Sequence, residues 1–356
     1  MSRSANSFTI CIPGIVLTFL VLSFSGFAAQ PQQPGRETTA APATAQSATE
    51  TANRFIDPDA KELKGRNFVT NDGVLLVGSF YPGHADKETI PVILLHGQGK
   101  SREEFTPLIE EMKKHGYAIL AFDFRGHGES TTRFPTPREQ QQQMQQQMQR
   151  QANPNMRTPM MPPQQGRPVE YLEENFKKVD YDNMYKFDWL PFYRFLVHEN
   201  NEERLNLNKL VIIGVDMGGT VGGQITKQLW ANSRGKNVRS LIIISPNYDP
   251  FSKTLLQDAK CFHKDGAPLL MMVGQLDRQA KDNALKLRED ILGKTKPRED
   301  NPTSMSSPIP IAEFPTERQG RELLRESKLE VPQKIVNYID ETLANRKPSE
   351  LRWRKM

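Results

Sequence analysis

Cysteine is nearly missing from this chain. The sequence holds two, Cys11 and Cys261, and the first lies at the start of an apolar stretch near the N-terminus. If that stretch is removed, the one remaining cysteine cannot close an internal disulfide, so no covalent framework is expected. Histidine is scarce too: there are six, and none follows His263. Chemistry that needs an imidazole near the C-terminus has no residue to supply it. Charge is sparse at the start, where Arg3 is the only charged side chain before Arg36. No zinc-finger or RNA-binding signature accompanies the net charge of +5, so nucleic acid is not an expected partner. No cofactor or metal is called for either.

The terminal segments are polar or apolar in blocks. Arg3, the uncharged stretch from Ile10 to Phe27 and the small residues Gly26, Ala28 and Ala29 follow the order of a secretory signal peptide. Residues 1–29 are therefore read as a signal, with retention as a membrane anchor the alternative, and the protein as exported to a periplasmic or extracellular space. Residues 30–54 hold almost no large apolar side chain and read as a disordered linker. Residues 346–356 carry Arg346, Lys347, Arg352, Arg354 and Lys355. They read as a solvated basic tail, with contact to phosphate or a membrane surface as the sharper alternative.

Between these segments, residues 55–345 alternate between short apolar runs and amphipathic stretches. Strands are expected at Lys64 to Val69, Val74 to Tyr81 across an Asn71-Asp72-Gly73 turn, Pro91 to Leu95, Tyr117 to Phe122, Leu210 to Ile213, Val238 to Ile244, Pro268 to Val273 and Ile309 to Phe314. Helices are expected after Ser101-Arg102-Glu103-Glu104, read as a capping box, over Asp182 to Glu199 with an aromatic inner face, from Thr220 to Trp230, at Leu255 to Phe262, over Asp282 to Leu292, and at Gly320 to Arg325 and Val331 to Asn345. This alternation predicts an α/β domain with a mostly parallel sheet covered by helices on both faces. Residues 134–168 interrupt it with glutamine, methionine and proline. They read as a surface insertion, largely disordered, whose glutamine part can form a short helix.

The apolar strand Leu210 to Ile213 runs into Gly214-Val215-Asp216-Met217-Gly218-Gly219, a glycine-flanked sharp turn ahead of a helix. This resembles the nucleophile elbow, G-x-S-x-G, of the α/β-hydrolase fold. The motifs His96-Gly97 and Arg125-Gly126-His127-Gly128-Glu129-Ser130 resemble its lysophospholipase-like and serine-aminopeptidase-like branch. The resemblance implies an α/β-hydrolase fold without a large cap domain, since only about twenty residues separate Ile244 from Pro268. It also implies where a catalytic triad would stand. Asp216 occupies the place of the serine nucleophile. Asp277, in Gly274-Gln275-Leu276-Asp277, occupies that of the acid, though it also reads as an ordinary helix cap. Gln319 occupies the place of the histidine, ahead of Gly320-Arg321-Glu322-Leu323-Leu324. The backbone amides of Gln98 and Met217 match the oxyanion hole, and the flanking glycines equally serve tight turns.

Epoxide hydrolases and haloalkane dehalogenases of this fold use an aspartate at the elbow, but a cap domain usually accompanies it, with an aromatic residue after the aspartate. Here the next residue is Met217. A glutamine cannot accept a proton near neutral pH, so even an aspartyl ester would lack a base for its hydrolysis. Of the histidines that precede the elbow, His96 and His127 lie at strand ends near the expected pocket and read as loop-shaping residues. An anionic Asp216 at a helix N-terminus is electrostatically tolerable, repels oxyanions and suits a cationic ligand or a hydrogen bond to Gln319. The chain is therefore expected to be an exported hydrolase-fold protein with a degenerate Asp–Gln–Asp triad, binding a small-molecule or protein ligand without catalysis. The alternatives are a hydrolase of esters or similar bonds using Asp216 or a displaced base, and an assembly role for the tail or the insertion.

Overall fold

The computed structural model describes residues 10–12, 15–17, 58–151, 167–233, 238–248, 252–253, 256–257, 259–262, 266–293 and 301–356. The chain divides into two compact units, Met1–Arg54 and Phe55–Met356. In the first, Ile10–Ile12 pairs antiparallel with Ile15–Leu17. The rest of the expected targeting segment, and all of the expected linker, lie outside the described residues. No helix among the described residues is long and apolar enough to cross a membrane.

In the second unit eight strands form one sheet. They are β1 (Lys61–Leu63), β2 (Val77–Tyr81), β3 (Pro91–Leu95), β4 (Ala118–Asp123), β5 (Leu210–Val215), β6 (Val238–Ile244), β7 (Leu269–Gly274) and β8 (Ile311–Phe314). Their spatial order is β8-β7-β6-β5-β3-β4-β2-β1. Strands β3 to β8 run parallel, and β1 and β2 close one edge in antiparallel pairing. The main helices are α1 (Thr106–Lys114), α2 (Leu190–Asn201), α3 (Met217–Ser233), α4 (Arg278–Leu292) and α5 (Val331–Ala344).

The continuous apolar runs of β3 to β7 follow from burial on both faces. Along β5, Leu210 and Ile212 join one core layer with Phe192, Leu196, Val221 and Ile225. Val211 and Ile213 join the opposite layer with Leu108, Met112, Ile335 and Ile339. The two-residue period of the strand thus divides its side chains between two helical layers.

Several expected elements are displaced. The first strand is Lys61–Leu63 rather than Lys64 to Val69: Gly65, at φ +106°, breaks it, and Arg66–Phe68 forms a 3-10 turn that sends Phe68 into the core. The Asn71-Asp72-Gly73 turn forms, but the strand after it divides at Leu76, a buried residue whose amide donates to the Phe68 carbonyl. The helix expected over Asp182 to Glu199 is two helices, Lys178–Phe187 and Leu190–Asn201. Asp188 lies at the break because its carboxylate is drawn inward to Arg125, and Pro191 starts the second helix. Of the helix expected at Leu255 to Phe262, Lys260–Phe262 is a 3-10 turn and part lies outside the described residues. The helix expected from Asp282 begins earlier, at Arg278.

The insertion begins and ends at one pinned point. Thr132–Arg133 pairs antiparallel with Val169–Glu170, so residues 134–168 leave and re-enter across a single pair of strands. Their glutamine part is helical over Pro137–Gln151; residues 152–166 lie outside the described residues.

The backbone of the C-terminal tail is docked on the domain, while the side chains of Lys347, Arg352, Arg354 and Lys355 are exposed. The side chains of Asn200, Asn206 and Asn208 donate to the carbonyls of Arg354, Leu351 and Arg352. Trp353 Nε1 donates to the Asn200 carbonyl at 3.2 Å, and Lys87 lies 4.8 Å over the Trp353 ring. The tail's backbone finds partners on the domain, which its basic side chains gave no reason to expect.

Candidate functional site

The elbow forms as a strained turn. Asp216 follows β5 at φ +49°, a left-handed conformation uncommon for a residue with a Cβ. Its amide donates to the Ile244 carbonyl at 2.9 Å, and its carbonyl accepts from Gly219 at 3.0 Å. The turn presses α3 against β3: a Cβ on Gly218 would lie 2.0 Å from the Leu95 carbonyl oxygen. Only glycine allows that approach.

Asp216 opens on a cleft of about 400 Å³ between the loop after β3 and the loops after β6 and β8. Among the residues marked by the sequence, Gln98, Asp216 and Gln319 line it. Met217, the first residue of α3, is buried in the core. Asp277 is buried at the start of α4, where its Oδ1 accepts from the Ala280 amide at 3.1 Å and caps the helix. Its Oδ2 is buried and has no hydrogen-bond partner among the described residues. The expected hydrogen bond between Asp216 and Gln319 does not form: the Gln319 side chain is exposed, and no hydrogen bond engages it among the described residues.

The histidines near the cleft are committed elsewhere. His96 is fully buried. Its Nε2 accepts from the Phe124 amide at 3.0 Å, which leaves Nδ1 to donate to the Gly97 carbonyl at 2.8 Å. Burial lowers its pKa to about 3, so it stays neutral. His127 bonds the Arg125 carbonyl through Nδ1 at 2.8 Å; its Nε2 lies 2.9 Å from a Glu173 oxygen, an ion pair only when the ring is protonated, and makes no hydrogen bond among the described residues.

The pattern Ser101-Arg102-Glu103-Glu104 predicts that Glu104 closes a capping box. The structure corrects this, because the Ser101 side chain makes no cap bond. Glu104 is buried and instead reaches under the cleft. Its Oε2 accepts from the Gly97 amide at 2.8 Å, and the Arg321 amide donates to the same carboxylate. It thereby ties the loop after β3 to the loop where a histidine would stand. Burial raises its pKa above the ordinary value, with Asp216 adding to the rise; the two amides and Lys100 oppose it. Ser245, also at the cleft, holds the same loop from the other side by accepting from the Gly320 amide at 2.8 Å.

Sequence reasoning missed Glu104, Ser245, Gln279 and Asn283 as cleft residues. The signal available was the spacing of Gln279 and Asn283, one helical turn apart after Asp277. Glu104 and Ser245 carried no local signal. Among the described residues, no group of three or more His, Cys, Asp or Glu could hold a metal ion.

A parallel sheet in this order, with a sharp elbow after β5 and the cleft at the strands' C-terminal ends, defines a hydrolase-type scaffold. The chain belongs to the alpha/beta hydrolase fold family, whose model matches residues 90–353. Solved structures similar to it include an esterase from Pyrococcus furiosus, at 18% identity over 79% of this chain and 92% of that one, TM-score 0.48. A dienelactone hydrolase from Anabaena variabilis is similar at 16% identity over 80% and 98%, TM-score 0.45. An alpha-beta serine hydrolase homologue from Coxiella burnetii is similar at 12% identity over 83% and 100%, TM-score 0.43. Identities this low speak to no shared substrate or reaction. No curated protein matches the sequence.

Proposed function

We propose that this is a binding member of the hydrolase-fold family, whose cleft has kept the elbow geometry and lost the reaction. The observation that carries the reading is the Oδ2 of Asp277, a buried carboxylate oxygen without a donor among the described residues. In a working triad the acid orients its histidine by accepting a hydrogen bond. Here the loop residue in that place is Gln319, His96 is neutral with both ring nitrogens bonded, and His127 lies against Glu173. Among the described residues, no histidine lines the cleft to take a proton from a nucleophile or from water. A carboxylate at Asp216 also sets negative charge where an acyl-transfer oxyanion would have to develop. Export directed by the N-terminal segment belongs to the same proposal and rests on the charge and apolar pattern of residues 3 to 29.

The second reading is a hydrolase in which Asp216 attacks an ester or similar bond. The strained elbow favours it, because strain at a nucleophile turn is characteristic of working sites. The experiment is a panel of short-chain esters and aminopeptidase substrates offered to the protein without residues 1–29. The binding reading expects no turnover above background. Turnover abolished by Asp216→Asn would overturn it.

A further inference from the structure

Resting on the binding reading, we propose that the cleft takes a neutral polyhydroxylated ligand, of the chemical class of a small sugar or polyol. The argument begins with its walls. Among the described residues five carboxamides line it, those of Gln98, Asn247, Gln279, Asn283 and Gln319, with Asp216 beside them. They come from four separate parts of the chain: the loop after β3, the loop after β6, the first turns of α4 and the loop after β8. Gln279 and Asn283 share one face of α4. No hydrogen bond with the described residues engages the side chains of Gln279, Asn283 or Gln319. Gln98 turns its Nε2 to Glu173 at 2.8 Å, which leaves its oxygen to accept.

Other ligand classes match these walls less well. An acyl chain needs an apolar surface, and among the described residues the side chains that offer one are Val215, Pro246 and Ala280, all small. An anion would be drawn by Lys100 and Arg321 but would face Asp216 and Glu104. An amine could donate to Asp216 and the carboxamide oxygens but would leave the NH2 groups of Gln279, Asn283 and Gln319 unmatched. A hydroxyl both donates and accepts, as a carboxamide does, so vicinal hydroxyls can meet one carboxamide on both its atoms. A hydroxyl can also donate to the Asp216 carboxylate as a charge-assisted bond. The volume of about 400 Å³ falls within the usual range for small-molecule sites. No aromatic ring lines the cleft among the described residues, so affinity must come from hydrogen bonds alone.

The test is saturation-transfer NMR on the full chain with neutral mono- and disaccharides and myo-inositol, followed by calorimetric titration of any that bind. Propylamine, acetate and dialanine are offered in parallel as the competing classes. The proposal expects saturable binding of at least one sugar or polyol. It also expects Gln279→Leu and Asn283→Leu each to weaken that binding by at least about tenfold, the loss of one to two hydrogen bonds, with the circular dichroism unchanged. Binding of propylamine or dialanine without any sugar, no saturable sugar binding at all, or sugar binding indifferent to both substitutions would overturn it. Ester turnover sensitive to Asp216→Asn sinks the non-catalytic reading by a different measurement, so the two failures are distinguishable.

Discussion

Glu104 accepts the Gly97 amide through Oε2 at 2.8 Å while burial holds its pKa above the ordinary value. The folded state thus favours the protonated carboxyl more than the unfolded chain does. This contribution to stability is fully present below the unfolded pKa and fades as pH rises through the higher folded one. Glu104→Gln removes the titration. The difference in Tm between the wild type and this variant should move against the wild type as pH rises from 4 to 8. Thermal unfolding across that range checks it, and a pH-independent difference would contradict it. An offset of about 1–3 kcal/mol at low pH is expected, because one amide donor would then face an NH2 group.

Asp188 and Arg125 are both fully buried and joined through Nε and Nη2, the latter at 2.6 Å, with Asp72 accepting from Nη1. The pairs with Asp188 and Asp72 hold the Arg125 pKa above its ordinary value, against burial. Asp188→Ala leaves a buried guanidinium with half its partners. Destabilisation of about 3–5 kcal/mol is expected in urea unfolding. The break between Lys178–Phe187 and Leu190–Asn201 should loosen with it, seen as faster amide exchange there.

Gly218 has no room for a methyl group, because a Cβ would lie 2.0 Å from the Leu95 oxygen. Gly218→Ala should force α3 away from β3 and cost at least about 3 kcal/mol. Denaturant unfolding reads this directly. A loss under about 1 kcal/mol would mean that the elbow is less tightly packed than the structure has it.

The unpartnered Oδ2 of Asp277 should welcome a donor. Gln319→His is expected to place an imidazole where that oxygen can favour its charged form, and the introduced ring should titrate above the usual value of about 6.5. NMR titration of the variant, repeated with Asp277→Asn, measures this. The added substitution should bring the titration back down. An unshifted ring would mean that the loop after β8 no longer approaches Asp277.

Trp353 holds the C-terminal tail through its ring and its indole N–H. Trp353→Ala should free the docked backbone around Arg352, Arg354 and Lys355 for cleavage by trypsin and leave the domain nearly as stable, within about 2 kcal/mol. Limited proteolysis followed by mass spectrometry distinguishes this from a solvated tail, whose cleavage the substitution would not change.

The sequence by itself determined the framework. Strands buried on both faces read as unbroken apolar runs, and the glycines at 214 and 218 mark a turn that no other residue fits, so β5, the elbow and the mostly parallel sheet were legible in order. The resemblance to the hydrolase fold further implied that the loops of Asp216 and Gln319 meet at one cleft. The split at Asp188 was not legible, because the helical pattern continues through it and the cause, Arg125, is distant in the chain. Glu104 fitted a local capping pattern, but its strongest donors, the amides of Gly97 and Arg321, are supplied by tertiary packing. The same holds for the carboxamides of the cleft, for the asparagines that hold the tail, and for the orphaned oxygen of Asp277. Burial periodicity is written locally along a chain. Which polar groups satisfy one another, and which are left without a partner, depends on what folding brings together, and only the tertiary structure decided it.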